Sequence, residues 1–293
     1  MYDRILRFSK MEGCGNDYIY IDGTDGAGDG LDKTRLAREL SDRHFGIGSD
    51  GVIWINRSQY ADFEMEMYNA DGSRAEMCGN GIRCVAGFVR EHGMHTGNTV
   101  RIESFGKVKE LYYLSEPGDS VQMVRVNMGE PVLGAADIPY AGNETEDPCS
   151  PVIDRDFEAG GKKCRITCVS MGNPHCVVFV DDTDSLDLEK IGPSFENHPA
   201  FPARVNTEFV QVISQDHVKM RVWERGSGET LACGTGCCAS AVACVLCGKT
   251  DRKVYVDVLG GTLLIEWESI DGSDGTVWMT GPARTVFEGT IRI

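Results

Sequence analysis

The chain has 293 residues, 41% of them hydrophobic and 25% charged, with 29 Lys and Arg against 45 Asp and Glu for a net charge of −16. That length suits two domains of ordinary size, and that composition supplies enough apolar surface to exclude global disorder, a lone binding peptide or a disulfide-stapled miniprotein. The acidic balance repels phosphate backbones and anionic lipid, which argues against nucleic acid and membrane surfaces as partners.

In chain order, the N-terminal stretch Met1 to Lys10 lacks the continuous apolar block of a secretory signal, and no later stretch has the length of a membrane-spanning helix. The expected location is the cytoplasm, where twelve cysteines would stay mostly reduced. A strand is predicted over Ile19–Ile21, then a helix from Lys33 to Arg43 capped by Asp32, with Leu36, Ala37 and Leu40 on one apolar stripe. Alternation over Phe63–Tyr68 predicts a second strand.

From Gly79 to His92 the spacing of Ile82, Val85, Ala86 and Val89 predicts a helix ended by Gly93. Further strands are predicted over Val100–Glu103, Val121–Asn127, Arg165–Val169, Val177–Val180, Val218–Trp223, Val254–Val258, Leu263–Trp267 and Val277–Thr280. Asp137 to Pro151, rich in Pro, Asn and acids, reads as an exposed loop. A last helix, Gly234 to Cys247, is small or apolar on every face and therefore has to be enclosed.

The two halves repeat one another. Alternation over Phe63–Tyr68 leads to Asn69 and then to Cys78-Gly79-Asn80-Gly81; alternation over Val218–Trp223 leads to Glu224 and then to Cys233-Gly234-Thr235-Gly236. One step of 155 positions carries Cys78 onto Cys233 and Asn69 onto Glu224. Upstream, Asn16 precedes Cys78 by 62 positions and Asn173 precedes Cys233 by 60. A short Cys-Gly-x-Gly string recurs by chance often enough; matched landmarks at nearly constant spacing do not, so the chain reads as a duplicated domain. The expected fold class is α/β of the α+β type: two pseudo-symmetric domains, each a mainly antiparallel sheet wrapped around its own central helix. The expected boundaries are 1–129 with a returning strand 282–293, and 130–281.

A helix start carries unpaired N–H groups and a partial positive charge, which favours an anion there and biases a cysteine toward thiolate. Gly79, Gly81, Gly234 and Gly236 keep side chains away from those N–H groups. Each half therefore builds a carboxylate cradle with a sulfur at its lip. If a pseudo-twofold relates the halves, Cys78 and Cys233 face one cleft, and a carbon held there loses a proton to one sulfur and gains one from the other. That is stereoinversion by two bases, one thiolate and one thiol.

The strings Met11 to Tyr18, Asn69-Ala70-Asp71-Gly72-Ser73, Met77 to Cys84, Gly172-Asn173-Pro174-His175, Val205-Asn206, Trp223-Glu224-Arg225-Gly226 and Ala232 to Gly236 resemble the diaminopimelate epimerase family, over nearly the whole chain. The resemblance implies a pyridoxal-phosphate-independent isomerase that interconverts LL- and meso-diaminopimelate on the route to lysine, with no cofactor or metal, working as a homodimer. It implies Cys78 and Cys233 as the acid/base pair, and His175 and Glu224 as groups that take and return the thiol protons. Asn80, Thr235 and the Gly79 and Gly234 amides would hold the carboxylate at the reacting centre, with Asn16 near the same end. Asn69, Asn173, Asn206, Glu224 and Arg225 would read the far end, Arg225 by a bidentate pair with a carboxylate. Two positions depart from the family pattern: Glu12 stands where histidine is usual, and Gly51 where some members have a ligand-contacting glutamine.

Two alternatives stay open at this level. A proline or hydroxyproline racemase shares the two-cysteine chemistry but has no use for a second charged end. A dithiol redox or metal-binding protein would use Cys78 and Cys233 differently; Cys244-x-x-Cys247, inside an apolar helix with no second such pair, reads as packing, as do Cys164 and Cys168.

Overall fold

The computed structural model describes residues 4–75, 78–142 and 147–293. Met77 of the motif, the first residues of the N-terminal stretch and the middle of the 137–151 segment lie outside the described residues. The chain forms two compact units, Met1–Val126 with Thr280–Ile293, and Asn127–Met279.

In the first unit β1 (Ile5–Gly13) and β2 (Asn16–Asp22) form a hairpin in which Gly13 faces Asn16. Its two-residue turn, Cys14-Gly15, has positive φ at both positions, 55° and 81°, the backbone twist such hairpins require. A crossover containing α1 (Lys33–Ser41) leads to β3 (Gly51–Asn56), parallel to β2, and β4 (Phe63–Asn69) returns antiparallel to β3, with the short β5 (Arg74–Ala75) on its far side. A second crossover, α2 (Gly79–Glu91), delivers β6 (Thr99–Ser104) parallel to β4, followed by antiparallel β7 (Lys107–Tyr113) and β8 (Gln122–Gly129).

The second unit runs the same sequence of pairings. A hairpin of β9 (Arg155–Ala159) and β10 (Lys162–Ser170) leads to antiparallel β11 (Pro174–Phe179), and α3 (Leu188–Glu196) crosses to parallel β12 (Asn206–Ser214). Then come antiparallel β13 (His217–Glu224), short β14 (Gly228–Thr230), the crossover α4 (Gly234–Leu246), parallel β15 (Lys253–Val258) and antiparallel β16 (Gly261–Ile270). The register agrees too: Tyr18 faces Gly51, and His175 faces Asn206. The last strand, β17 (Ser273–Arg292), pairs its residues 284–292 antiparallel with β1 in the first unit, with a bulge at Val286.

Each unit is thus a mixed sheet, mainly antiparallel, with parallel pairs only where a helix makes the crossover. Residues 79–89 of α2 are all buried, and the helix packs on β1, β2 and β6. In α4, Gly, Ala, Ser and Cys let six strands, β10 to β13, β15 and β16, approach closely. Each fully buried Ile or Val in such a core contributes about 2 kcal/mol.

Three sequence expectations change. The helix beginning at Lys33 ends at Ser41, held by Asp32 accepting from the Arg35 N–H at 3.0 Å; Arg43 lies beyond it and turns to carboxylates instead. The 137–151 segment is not simply exposed: Ile138 and Tyr140 are buried in the aromatic core of the second unit, because the turn starting at Gly134 directs them inward. Helix α3, unforeseen, contributes Leu188 and Phe195 to that core, and Gly192 gives the Trp223 ring its place.

Candidate active site

In the first unit Cys78 caps α2. Its sulfur accepts from the Gly81 N–H at 3.3 Å, and its S–H points to Asn16 Oδ1 at 3.1 Å. The hairpin turn sets Asn16 at the start of β2, and Asn16 Nδ2 donates to Asp50 Oδ2 at 2.8 Å, which orients the amide oxygen toward the thiol. Asp50 also accepts from the Asp17 N–H and from Arg43. Burial pushes the Asp50 carboxyl up, while Asp17 stays below the usual carboxylate range: burial opposes its ionisation, but hydrogen bonds from Arg43 and Lys10 outweigh it.

Asn80 is buried on the first turn of α2, where its Oδ1 accepts from Arg83 Nη2 at 3.0 Å. Arg83, fully buried, also donates to Gly79 O at 3.1 Å and Pro282 O at 3.2 Å, and so fixes the helix start. Sequence reasoning passed over it, although a guanidinium beside Ile82 in an apolar helix is itself a signal. Glu12 has structural work: it accepts from the Gly15 N–H at 3.0 Å and pairs with Arg284 at 2.8 Å. Gly51 has no room for a side chain, since a Cβ there would fall 2.1 Å from Tyr68 O. Asn69 sits at the β4–β5 turn, bonded to Ser73 at 3.0 Å.

In the second unit Cys233 caps α4 and is 6% exposed. The expectation of a thiol biased toward thiolate is corrected here. Burial, then the nearby carboxylates of Glu224 and Glu208, push its thiol well up, against smaller opposing effects of Thr235 and the Gly236 N–H. The helix terminus is outweighed by desolvation and like charge. Thr235 Oγ1 lies 3.5 Å from the sulfur. Glu224, at the end of β13, accepts from Thr230 Oγ1, and burial raises its own carboxyl. A nearby carboxylate whose basicity burial raises is chemically suited to exchange a proton with that thiol.

His175 is fully buried, with Nδ1 2.7 Å from Glu208 Oε1 and Nε2 3.0 Å from Asn173 Oδ1. Asn206 Oδ1 accepts from the Arg225 backbone N–H at 2.8 Å, and Arg225 Nη1 donates to Ala203 O at 2.9 Å, so an exposed guanidinium stands on a braced turn. Glu196, another residue missed, braces the same turn by accepting from Gly226 N–H and Trp223 Nε1. The second unit therefore gathers Cys233, Gly234, Thr235, Glu224, His175, Asn173, Asn206 and Arg225; the first gathers Cys78, Gly79, Asn80 and Asn16 more tightly than Asn69.

All twelve cysteines are free thiols. Cys84 and Cys244 are packing residues whose thiols burial pushes up to about 12. Among the described residues, no group of three or more His, Cys, Asp and Glu side chains is arranged to hold a metal ion, and no helix is long and apolar enough to cross a membrane.

A family model described as Diaminopimelate epimerase matches residues 8–134 and 167–286. A protein of Leptospira biflexa named diaminopimelate epimerase is 50% identical over 292 residues, 98% of this chain and 99% of that one. A Bacillus anthracis protein of the PhzF family shares the fold at a TM-score of 0.69 and 17% identity, covering 99% of this chain and all of that one. A hydroxyproline epimerase from Agrobacterium vitis, solved with trans-4-hydroxy-L-proline, aligns at a TM-score of 0.64 and 14% identity, over 100% and 94% of the two chains. Matched over most of its length, the chain belongs to the diaminopimelate epimerase family.

Proposed function

We propose that this protein is an isomerase that interconverts LL- and meso-diaminopimelate by proton transfer at the α-carbon, without pyridoxal phosphate, as a step of lysine biosynthesis in the cytoplasm. The observation that carries this reading is the pair of cysteines at helix N-cap positions, Cys78 on α2 and Cys233 on α4, at matched positions of two units with the same pairing order.

In this mechanism one sulfur, as thiolate, takes the α-proton while the other, as thiol, delivers a proton to the opposite face. The α-hydrogen of an amino acid is weakly acidic, so the developing negative charge has to be stabilised and water kept out. Helix-start N–H groups at Gly79, Asn80, Gly234 and Thr235 supply dipoles for the carboxylate next to that carbon. Glu224 holds the Cys233 proton when the thiolate is needed, and His175 serves the same exchange. Arg225, with Asn69, Asn173 and Asn206, reads the second amino-acid end, which a proline substrate does not have. The enzyme works as a homodimer.

Incubation of LL-diaminopimelate with the purified protein in deuterated water tests the reading. Deuterium is expected at the α-position together with meso product, with no added cofactor. Full retention of protium, or turnover of proline in place of diaminopimelate, refutes it.

A further inference from the structure

Glu208 belongs to none of the motifs, yet its carboxylate is as deeply buried as the imidazole it touches. In the parallel β11–β12 pair it faces Val177, which puts it diagonal to His175 on the same face of the sheet. Oε1 lies 2.7 Å from His175 Nδ1, and both side chains are 0% exposed. Oε2 is buried with no hydrogen-bond partner among the described residues. The helix above makes room for this carboxylate: a Cβ on Gly236 would fall 2.7 Å from Oε1, so the second glycine of the Cys233 motif clears space for Glu208 as well as baring N–H groups.

A buried ion pair is often no more stabilising than apolar residues of the same volume, so stability gives weak grounds for a carboxylate here. Its orienting effect is specific. An ionised carboxylate only accepts, so the Nδ1 that faces it holds a proton. Nε2 faces Asn173 Oδ1 at 3.0 Å, so the two ring nitrogens have different partners, a carboxylate at Nδ1 and a side-chain amide at Nε2. With Nδ1–H held on the carboxylate, Nε2 is the nitrogen left to take and release a proton.

We propose that Glu208 is the positioning residue of His175, fixing the imidazole so that Nε2 is the nitrogen that exchanges protons during turnover. This rests on the role given to His175 above, and its test separates the two. In the full-length protein, Glu208→Gln is expected to lower kcat about 10²-fold while KM stays within about twofold, because the tautomer is no longer enforced. Glu208→Asp, which keeps the charge, recovers part of the loss. Independently of activity, nitrogen-15 edited NMR of the parent should show a strongly downfield, exchange-protected His175 Nδ1 proton, which moves upfield in Glu208→Gln.

An unchanged kcat in Glu208→Gln, or the absence of a protected Nδ1 proton in the parent, overturns the proposal; the latter reading does not depend on any variant folding. If the parent shows the protected proton but does not epimerise diaminopimelate, the proposed reaction falls while the pairing stands.

Discussion

The Gly81 N–H donates to the sulfur of Cys78, a half-buried thiol, whereas the counterpart Cys233 is nearly sealed and faces two carboxylates. The two sulfurs are therefore chemically unequal at rest. Near neutral pH, limited iodoacetamide is expected to label Cys78 ahead of Cys233. In Glu224→Gln, loss of one of the negative charges that raise the Cys233 thiol is expected to move its labelling profile to lower pH, while epimerisation is lost. Peptide mass spectrometry across a pH series reads both, and faster labelling of Cys233 than Cys78 in the parent contradicts the ordering.

The matched glycines Gly81 and Gly236 differ in what a methyl group would meet. At Gly81 the nearest atom is the far end of Ile53, at 2.9 Å, which can rotate away; at Gly236 it is Glu208 Oε1 at 2.7 Å, with Cys233 Sγ at 3.3 Å. Gly81→Ala is expected to stay within about 1 kcal/mol of the parent, helped by alanine's helix propensity. Gly236→Ala is expected to lose turnover about 10²-fold by displacing the carboxylate that holds His175. Equal effects of the two changes, compared by urea unfolding and by kcat, argue against this difference.

Lys10 Nζ lies 2.5 Å from Asp17, with side chains only 9% and 17% exposed. Removing one partner leaves the other buried, so Asp17→Asn is expected to cost about 3 kcal/mol at pH 7. Because the folded Asp17 carboxyl ionises below its unfolded value, its contribution is complete above the unfolded carboxylate range, about pH 4, and is lost as pH falls through the folded value. The gap between parent and variant in urea midpoints should close toward low pH. A gap that widens with acid has the wrong sign.

Cys78→Ala and Cys233→Ala are each expected to lower turnover by about 10³-fold with little change in melting temperature, and the double variant to be about as slow as either. Steady-state turnover of LL-diaminopimelate together with circular dichroism melts checks this. A single variant that retains parental turnover removes that cysteine from the reaction.

Much of this was legible before any coordinates. The enclosed helices announced themselves because α4 lacks a polar face and both begin at Cys-Gly-x-Gly. What stayed hidden is equally instructive. Helix α3 contains Gly192 and Pro193, which read as breakers, yet the glycine is there to admit Trp223. Glu208 sits between Thr207 and Phe209, where alternation alone suggests a solvent-facing acid; the parallel register that buries it against His175 is a long-range fact. The helix terminus at Cys233 is visible in sequence, whereas the desolvation and the nearby Glu224 and Glu208 that push its thiol up are not. For the same reason Glu196, which braces the turn that carries Arg225, has no local signature, whereas Arg83 inside an apolar helix does.

The pairing of residues 284–292 with β1 bears on biosynthesis. During translation β1 emerges early, but the neighbour that covers its open edge follows the entire second unit. The second unit can complete its pairings on the ribosome while the first still waits with an exposed template for strand addition. Chaperone occupancy and misassembly of nascent chains should accordingly concentrate on the first unit, and a stop codon just before Thr285 should be far more damaging there than the few lost residues suggest.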